Sequence, residues 1–181
     1  MIEQIIQDIA LAFLEYLAYN IVITVMLTGL LYIFMTRIYT KSSETGKPVN
    51  YGRYVMIGIF IFYCLNIITI TLLSREAGSR DSFDLRLFST FSNNMDDNRY
   101  PIENILLFIP LGCFLPFFWK RFSDPLLCLA GGFGISTAIE LVQFITKRGF
   151  LQIDDILTNT IGTMLGYSVL IVIKRIRNKQ K

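Results

Sequence analysis

Five apolar stretches, each close to the roughly 20 residues needed to cross a bilayer as a helix, constrain this chain more than any other feature. They run from about Tyr16 to Met35, Tyr54 to Leu73, Ile102 to Trp119, Leu126 to Ile145 and Ile156 to Ile173. The fold they predict is an all-α polytopic membrane helical bundle with about five transmembrane helices. Composition agrees, since 53% of the residues are hydrophobic and only 17% are charged, against about 25% charged in soluble proteins. A chain of 181 residues has room for one such bundle and no separate soluble domain.

The two ends differ from this core. Residues 1–15 form an amphipathic N-terminal segment, with Ile2, Ile5, Ile6, Ile9 and Phe13 at helical spacing and Glu3, Gln4, Gln7 and Asp8 opposite. This end is acidic and lacks a small-residue cleavage site, so the first span is expected to be retained rather than removed as a signal. Residues 16–173 make up the transmembrane domain, and residues 174–181 form a basic tail. Lys and Arg collect on the cytoplasmic side of membrane proteins. One side of this chain receives the first loop (Arg37, Lys41, Lys47, Arg53, with Gly46 and Pro48 as punctuation), the turn at Lys120 and Arg121, and the tail. The other side receives Arg75, Arg80, Arg86, Arg99, Lys147 and Arg148. The expected topology is multi-pass, with the amino end outside and the tail cytoplasmic. A net charge of +3 concentrated near the tail suits anionic lipid and argues against nucleic acid as a partner.

Several chemistries are excluded. The chain has no histidine, which removes Ser-His-Asp and Cys-His catalysis and the commonest metal ligand. Cys64, Cys113 and Cys128 lie in three different apolar runs and read as packing residues, with no disulfide and no metal site. No cofactor is expected.

The polar residues that remain inside or beside the spans are therefore the candidates. An ionisable group at mid-bilayer costs about 2.5–3.5 kcal/mol on insertion scales, so it usually has a partner and a task. Glu140, Gln143, Arg148, Asp154, Asp155 and Asn159 crowd the last hairpin. The topology brings Arg75 and Asn104 to the same outer side. Ser136, Glu140, Gln143 and Lys147 share one helix face, as do Asp155, Asn159, Gly162 and Gly166. Gly162 and Gly166 are expected to pack closely against Ala130, Gly134 and Ala138 of the preceding span. Asn66, Thr69 and Thr71 are expected to hydrogen-bond between helices. Pro110 and Pro116 lie inside the third span, where Pro110 is expected to kink the helix or open its hydrogen-bond ladder. The polar interval from Ser74 to Glu103 is not uniformly hydrophilic: Phe83, Leu85 and Leu87 alternate with Asp84 and Arg86, and Phe88 and Phe91 follow. This piece is either a short strand or a segment lying in the interface.

Asn104-Ile-Leu-Leu-Phe-Ile-Pro110-Leu-Gly112 resembles the N-x-x-x-F-x-P-x-G signature of VanZ-like membrane proteins. Glu140-Leu-Val-Gln143-Phe, Arg148, Asp154-Asp155-Ile-Leu-Thr-Asn159-Thr-Ile-Gly162 and Gly166-Tyr167 continue the pattern in the same order. The resemblance covers about a third of the chain. Before it, relatives tend to carry Asn-Leu-x-Pro-Phe where this chain has Asp84-Leu85-Arg86-Leu87-Phe88, a departure that replaces an amide by a carboxylate and removes a proline. The resemblance implies a bacterial cytoplasmic (inner) membrane protein linked to low-level teicoplanin resistance, with no established reaction.

Three readings of the cluster follow. Glu140, Arg148 and Asp155 form a buried ion-pair network that only locks the hairpin; desolvation makes such a network a poor stabiliser on its own. Alternatively, the cluster opens to the outer leaflet and binds or shields a membrane lipid or lipid-linked cell-wall component, affecting a glycopeptide antibiotic indirectly. The third reading is a membrane enzyme that modifies such a component through its Glu and Asp residues.

Overall fold

The computed structural model describes residues 2–42, 51–76, 78, 83–91 and 99–180, with side chains left out at 2–9, 12, 13 and 38–42. The apolar faces at the amino end and the loop residues Lys47, Gly46, Pro48 and Arg80 therefore lie outside the described side chains. Five helices are long and apolar enough to cross a membrane. They are α1 (Ile2–Ser42), α2 (Tyr51–Ile68), α3 (Arg99–Phe118), α4 (Pro125–Ile145) and α5 (Ile153–Lys179). A π-helical turn, Thr69–Leu73, follows α2, a 3-10 turn, Lys120–Ser123, joins α3 to α4, and two very short strands, β1 (Phe83–Asp84) and β2 (Leu151–Gln152), complete the order among the described residues. The amino-terminal segment and the first span are one continuous helix. At the other end α5 begins three residues earlier than the apolar run suggests and carries Lys174, Arg175, Arg177 and Lys179 on its final turns. The segment at Phe83 is a strand, as one of its two readings had it.

The chain divides into two compact units, Ala10–Ile70 and Met1–Ile9 with Thr71–Lys181. In the first, α1 and α2 form a hairpin glued by a buried polar contact. Asn20 Nδ2 donates to Asn66 Oδ1 at 3.1 Å and to Thr69 Oγ1 at 3.2 Å. Asn66 in turn donates to the Phe62 carbonyl at 2.7 Å. Amide and hydroxyl groups used in this way are the usual polar glue between membrane helices. Gly58 lets Thr28 approach closely, and Tyr32 stacks on Tyr51 and meets Tyr54 edge-on.

The second unit is built on α3 and α5. Helices in lipid gain little from burying apolar surface, so close backbone approach must supply the packing. Gly162 faces the Ile105 carbonyl, Gly166 faces the Ile109 carbonyl, and Gly112 faces the Thr163 carbonyl. A Cβ at any of the three would overlap backbone. The partner of the Gly162/Gly166 face is thus α3, and the expected pairing with Ala130, Gly134 and Ala138 is not formed. Gly134 meets nothing within 4 Å, and Ala130 and Ala138 are exposed. The α4 positions that do meet α5 are Gly132, against Thr163, and Ser136, which accepts from Asn159 Nδ2 at 2.8 Å. Half a turn separates the two faces: the small residues at 130, 134 and 138 are exposed, and those at 132 and 136 look inward.

Helix α3 runs unbroken through Pro110 and Pro116. Proline lacks an N–H, so each leaves the carbonyl one turn back without its helical donor. Asp124 starts α4 by accepting from Leu126 N and Leu127 N, with Pro125 in the first turn.

The glycine contacts yield a paired test. Gly166→Ala forces a methyl into the Ile109 carbonyl and should cost about 1–3 kcal/mol as overpacking, whereas Gly134→Ala, with open space around it, should hold stability or raise it by up to about 1 kcal/mol through helix propensity. Thermal unfolding of both variants in detergent is the check, and equal melting temperatures would refute the close α3–α5 contact.

Candidate functional site

The candidate residues gather where α4 ends and α5 begins, and the geometry starts from how α4 stops. Lys147 adopts a left-handed backbone conformation, φ 54°. Its N–H donates to the Phe144 carbonyl at 3.1 Å, and Arg148 N donates to the Gln143 carbonyl at 2.9 Å. This is a Schellman stop with lysine where glycine is usual. The left-handed residue turns the chain so that Lys147 is exposed while Arg148 and Gly149 fold back inward. Lys147 therefore leaves the buried face that Ser136, Glu140 and Gln143 share.

Gln143 and Arg148 then close the end of another helix. Gln143 Nε2 donates to the Thr71 carbonyl at 2.9 Å. Arg148 Nη1 donates to the Leu72 carbonyl at 3.0 Å and to the Arg75 carbonyl at 2.6 Å. Gly78 N reaches the Lys147 carbonyl at 3.0 Å. The carbonyls in the last turn of a helix have no partner within it, and a cation there also meets the negative end of the helix dipole. Arg148 is thus a cap for the turn at Thr69–Leu73 and the chain beyond it. It makes no ion pair with Glu140, which corrects the expected Glu140–Arg148–Asp155 network.

Two carboxylates are likewise committed to backbone. Glu140, only 2% exposed, accepts from Gln152 N at 3.1 Å through Oε2. That bond positions β2, which pairs in parallel with β1, Phe83 opposite Leu151 and Asp84 opposite Gln152. A parallel pair needs a crossover, and here α3 and α4 supply it. Asp154, at 1% exposure, holds the chain after β1. It accepts from Phe88 N at 2.7 Å, from Thr90 N at 3.0 Å and from Thr90 Oγ1 at 2.8 Å. Phe88 is left-handed, φ 63°. The departure at Asp84 has its own explanation: its carboxylate accepts from Arg86 N, Nε and Nη2, each at 3.0 Å. These bonds hold the Asp84 carboxyl well below the usual carboxylate range, so the pair is ionised and mutually neutralising.

Asp155, Asn104 and Arg75 complete the cluster. The Asp155 carboxylate is approached by the Asn104 side chain and lies in the field of Arg75, and Glu140 feels both Asp155 and Arg75. Arg75 owes its position to Gly149, where a Cβ would meet Arg75 Nη1 at 2.9 Å and Gln143 Cβ at 3.1 Å. Asn159 lies one turn along α5 from Asp155, bonded to Ser136. Gln143 Oε1 and Asn159 Oδ1 are buried acceptors without a hydrogen-bond partner. Among the described residues no three Cys, Asp or Glu side chains are grouped so that they could hold a metal ion.

The structure therefore brings Arg75, Asn104, Glu140, Gln143, Asp154, Asp155 and Asn159 to one end of the second unit, with Arg148 beside them in a capping role. Of the packing candidates, Gly112, Gly162 and Gly166 make the α3–α5 contact, and Pro110 is half-buried on α3. Thr90, Gly149 and Gln152 were missed. Gly149 had a signal in its place directly after Lys147 and Arg148, since a glycine in a charged turn often makes room for a side chain. Gln152 carries no signal, because it acts through its backbone N–H; Thr90 acts through its N–H and its hydroxyl, and a lone threonine in a loop does not announce such a contact.

The sequence profile of the VanZ/LLP1 family matches residues 21–174. The chain belongs to the VanZ/LLP1 family. The match begins within α1, so family membership takes in the first two spans, which the motifs alone did not reach. "Protein VanZ" of Enterococcus faecium is 26% identical over 136 residues, covering 72% of this chain and 82% of the relative. No solved structure matches the chain. This VanZ/LLP1 protein is multi-pass, with five helices among the described residues long and apolar enough to cross a membrane.

Separate capping roles predict separate energetics. Arg148→Ala takes the donor from the Arg75 carbonyl and leaves the Leu72 carbonyl a longer bond from Arg75 N at 3.4 Å, and should cost about 2 kcal/mol. Glu140→Ala strands Gln152 N–H. The two losses should add in the double variant to within about 0.5 kcal/mol, as read by denaturant or thermal unfolding in detergent; a larger coupling would reinstate the ion pair.

Proposed function

We propose that the end of the protein bearing Arg75, Asn104, Glu140 and Asp155 faces the outer leaflet of a bacterial cytoplasmic membrane, where it binds or shields the polar head of a membrane lipid or lipid-linked cell-wall component. The observation that carries this reading is the contrast between two adjacent aspartates. Asp154 is filled by three donors from the loop after β1. Asp155 is only half-buried, receives no loop N–H among the described residues, and sits among Asn104, Arg75 and Glu140. Hydroxyl or amine donors of a headgroup could reach it. Family membership supports the further proposal that such binding confers tolerance to teicoplanin, a lipid-tailed glycopeptide that works at the membrane surface.

The orientation rests on the distribution of Lys and Arg. In a variant lacking Cys64, Cys113 and Cys128, a cysteine at Glu76 should react with an impermeant maleimide in intact cells, and one at Asn178 only after permeabilisation. The reverse pattern would move the cluster to the cytoplasmic side and end the proposal.

Function is checked by expression in a susceptible Gram-positive host, where tolerance to teicoplanin should rise more than tolerance to vancomycin. Asp155→Asn and Glu140→Gln nearly keep volume and should return the inhibitory concentration to that of the empty vector with membrane abundance near wild type. Arg148→Lys ends one atom short of the Nη1 position that serves both carbonyls and should lower abundance and tolerance together. If Asp155→Asn also lowers both in parallel, the cluster serves only the fold.

A further inference from the structure

Residues 83–91 expose more large apolar surface than a water-facing loop can carry without cost. Phe83 is 66% exposed, Leu85 57%, Leu87 58%, Phe88 63% and Phe91 42%. The loop does not bury these side chains against itself beyond a single ring contact between Phe88 and Phe91, 5.8 Å between centroids. Nor is it free to collapse. Asp154 holds the backbone at Phe88 and Thr90, β1 is paired to β2, Phe91 N bonds the Phe88 carbonyl at 3.3 Å, and the left-handed conformation of Phe88 turns the chain between them. The shape is built to keep the apolar side chains outward.

The position of the loop follows from what holds it. Asp154 is in the first turn of α5, and β2 joins α4 to α5, so the loop sits level with the membrane end of both helices. On α4 the last turns at this level present Leu141, Val142, Phe144 and Ile145 outward, and the loop continues that lipid-facing surface. Its two charges, Asp84 and Arg86, neutralise each other in a two-pronged pair, leaving no net charge to attract an acidic or basic protein. An exposed apolar patch next to spanning helices, with its charge cancelled, fits the acyl-chain region of a leaflet.

We infer that residues 83–91 form a preformed hydrophobic wedge that inserts into the leaflet surrounding the α4–α5 end, held in its inserted shape by the Asp154 carboxylate. The wedge is rooted beside the polar cluster, so it sets the depth at which that cluster meets the bilayer. Asp154 acts here as a positioning residue.

The test uses the full chain in phosphatidylcholine vesicles. Trp119, the single tryptophan, is replaced by Phe, and Leu87→Trp reports on the loop. Lipids brominated near the headgroup end of the acyl chain should strongly quench the reporter, lipids brominated at the chain terminus should quench it less, and aqueous iodide should quench it least. Phe144→Trp on α4 serves as a lipid-facing control. In Asp154→Asn one acceptor becomes an amide donor facing Thr90. The Leu87→Trp emission should then shift to the red and become iodide-accessible, while the Phe144→Trp control is unchanged. If Asp154→Asn disturbs the control as well, Thr90→Val, which removes one of the three donors, should give a smaller shift in the same direction. Iodide quenching that exceeds bromolipid quenching in the parent would overturn insertion. Protection from both quenchers would overturn it too, since it would mean a protein surface covers the loop. A reporter unmoved by both Asp154→Asn and Thr90→Val would overturn the clamp.

Discussion

Backbone polar groups at helix ends near hydrocarbon must find partners inside the protein, and this demand organises the end of the molecule where α4 stops and α5 begins. Water is scarce there and each unsatisfied group is expensive. The chain answers with long side chains placed opposite the exposed ends. Gln143 and Arg148 supply donors to the carbonyls of Thr71, Leu72 and Arg75. Glu140 and Asp154 supply acceptors to the N–H groups of Gln152, Phe88 and Thr90. Four costly polar side chains thus become the connectors among α4, α5, the turn at Thr69–Leu73 and the loop after β1. Beside them lies a smaller set, Asp155 with Asn104 and Arg75, held together by a hydrogen bond and by charge rather than by the loop backbone.

The same economy shapes the lipid-embedded part of the second unit. Thr158, Thr160 and Thr163 are buried on α5, and each bonds back to a carbonyl one turn earlier at 2.9, 2.7 and 3.0 Å. Their hydroxyls are satisfied within the helix, so the contact with α3 rests on glycine and close backbone approach. Side-chain hydrogen bonding between helices is confined to a few points, such as Asn159 to Ser136 and the weak contact from Cys113 Sγ to the Gly166 carbonyl at 3.2 Å.

The spans could be read from the sequence because length and hydropathy are one-dimensional properties. The neighbourhood of Glu140, Asp155, Asn104 and Arg75 was legible for a related reason: even numbers of crossings between them put those residues on one side, and helical spacing put them on inward faces. Two features were not legible. The face opposite Gly162 and Gly166 was misassigned because Ala130, Gly134 and Ala138 keep the small-residue spacing of an interface yet lie toward lipid, and nothing in spacing says which of two small-residue faces a helix turns inward. The Arg148 pairing was misassigned because helical periodicity was carried past Ile145, where the left-handed Lys147 ends the helix. Opposite charges at a plausible distance suggested an ion pair, and backbone carbonyls, which every sequence has everywhere, proved the stronger attraction.

The parallel pairing of β1 with β2 has a consequence for how the chain is made. Phe88, just after β1, and the Asp154 that clamps it lie 66 residues apart in sequence, with α3 and α4 between them. The ribosome delivers β1 first, α3 and α4 next, and β2 with Asp154 last. The loop after β1 consequently has no partner during the insertion of two helices, and it acquires its shape only when α5 begins to emerge. Closure of the ring reports that the preceding pair has crossed the bilayer and returned to the same side, so a chain in which α3 or α4 fails to insert cannot form it. The strands, only two residues each, serve as a latch that engages when assembly of this part of the protein is complete.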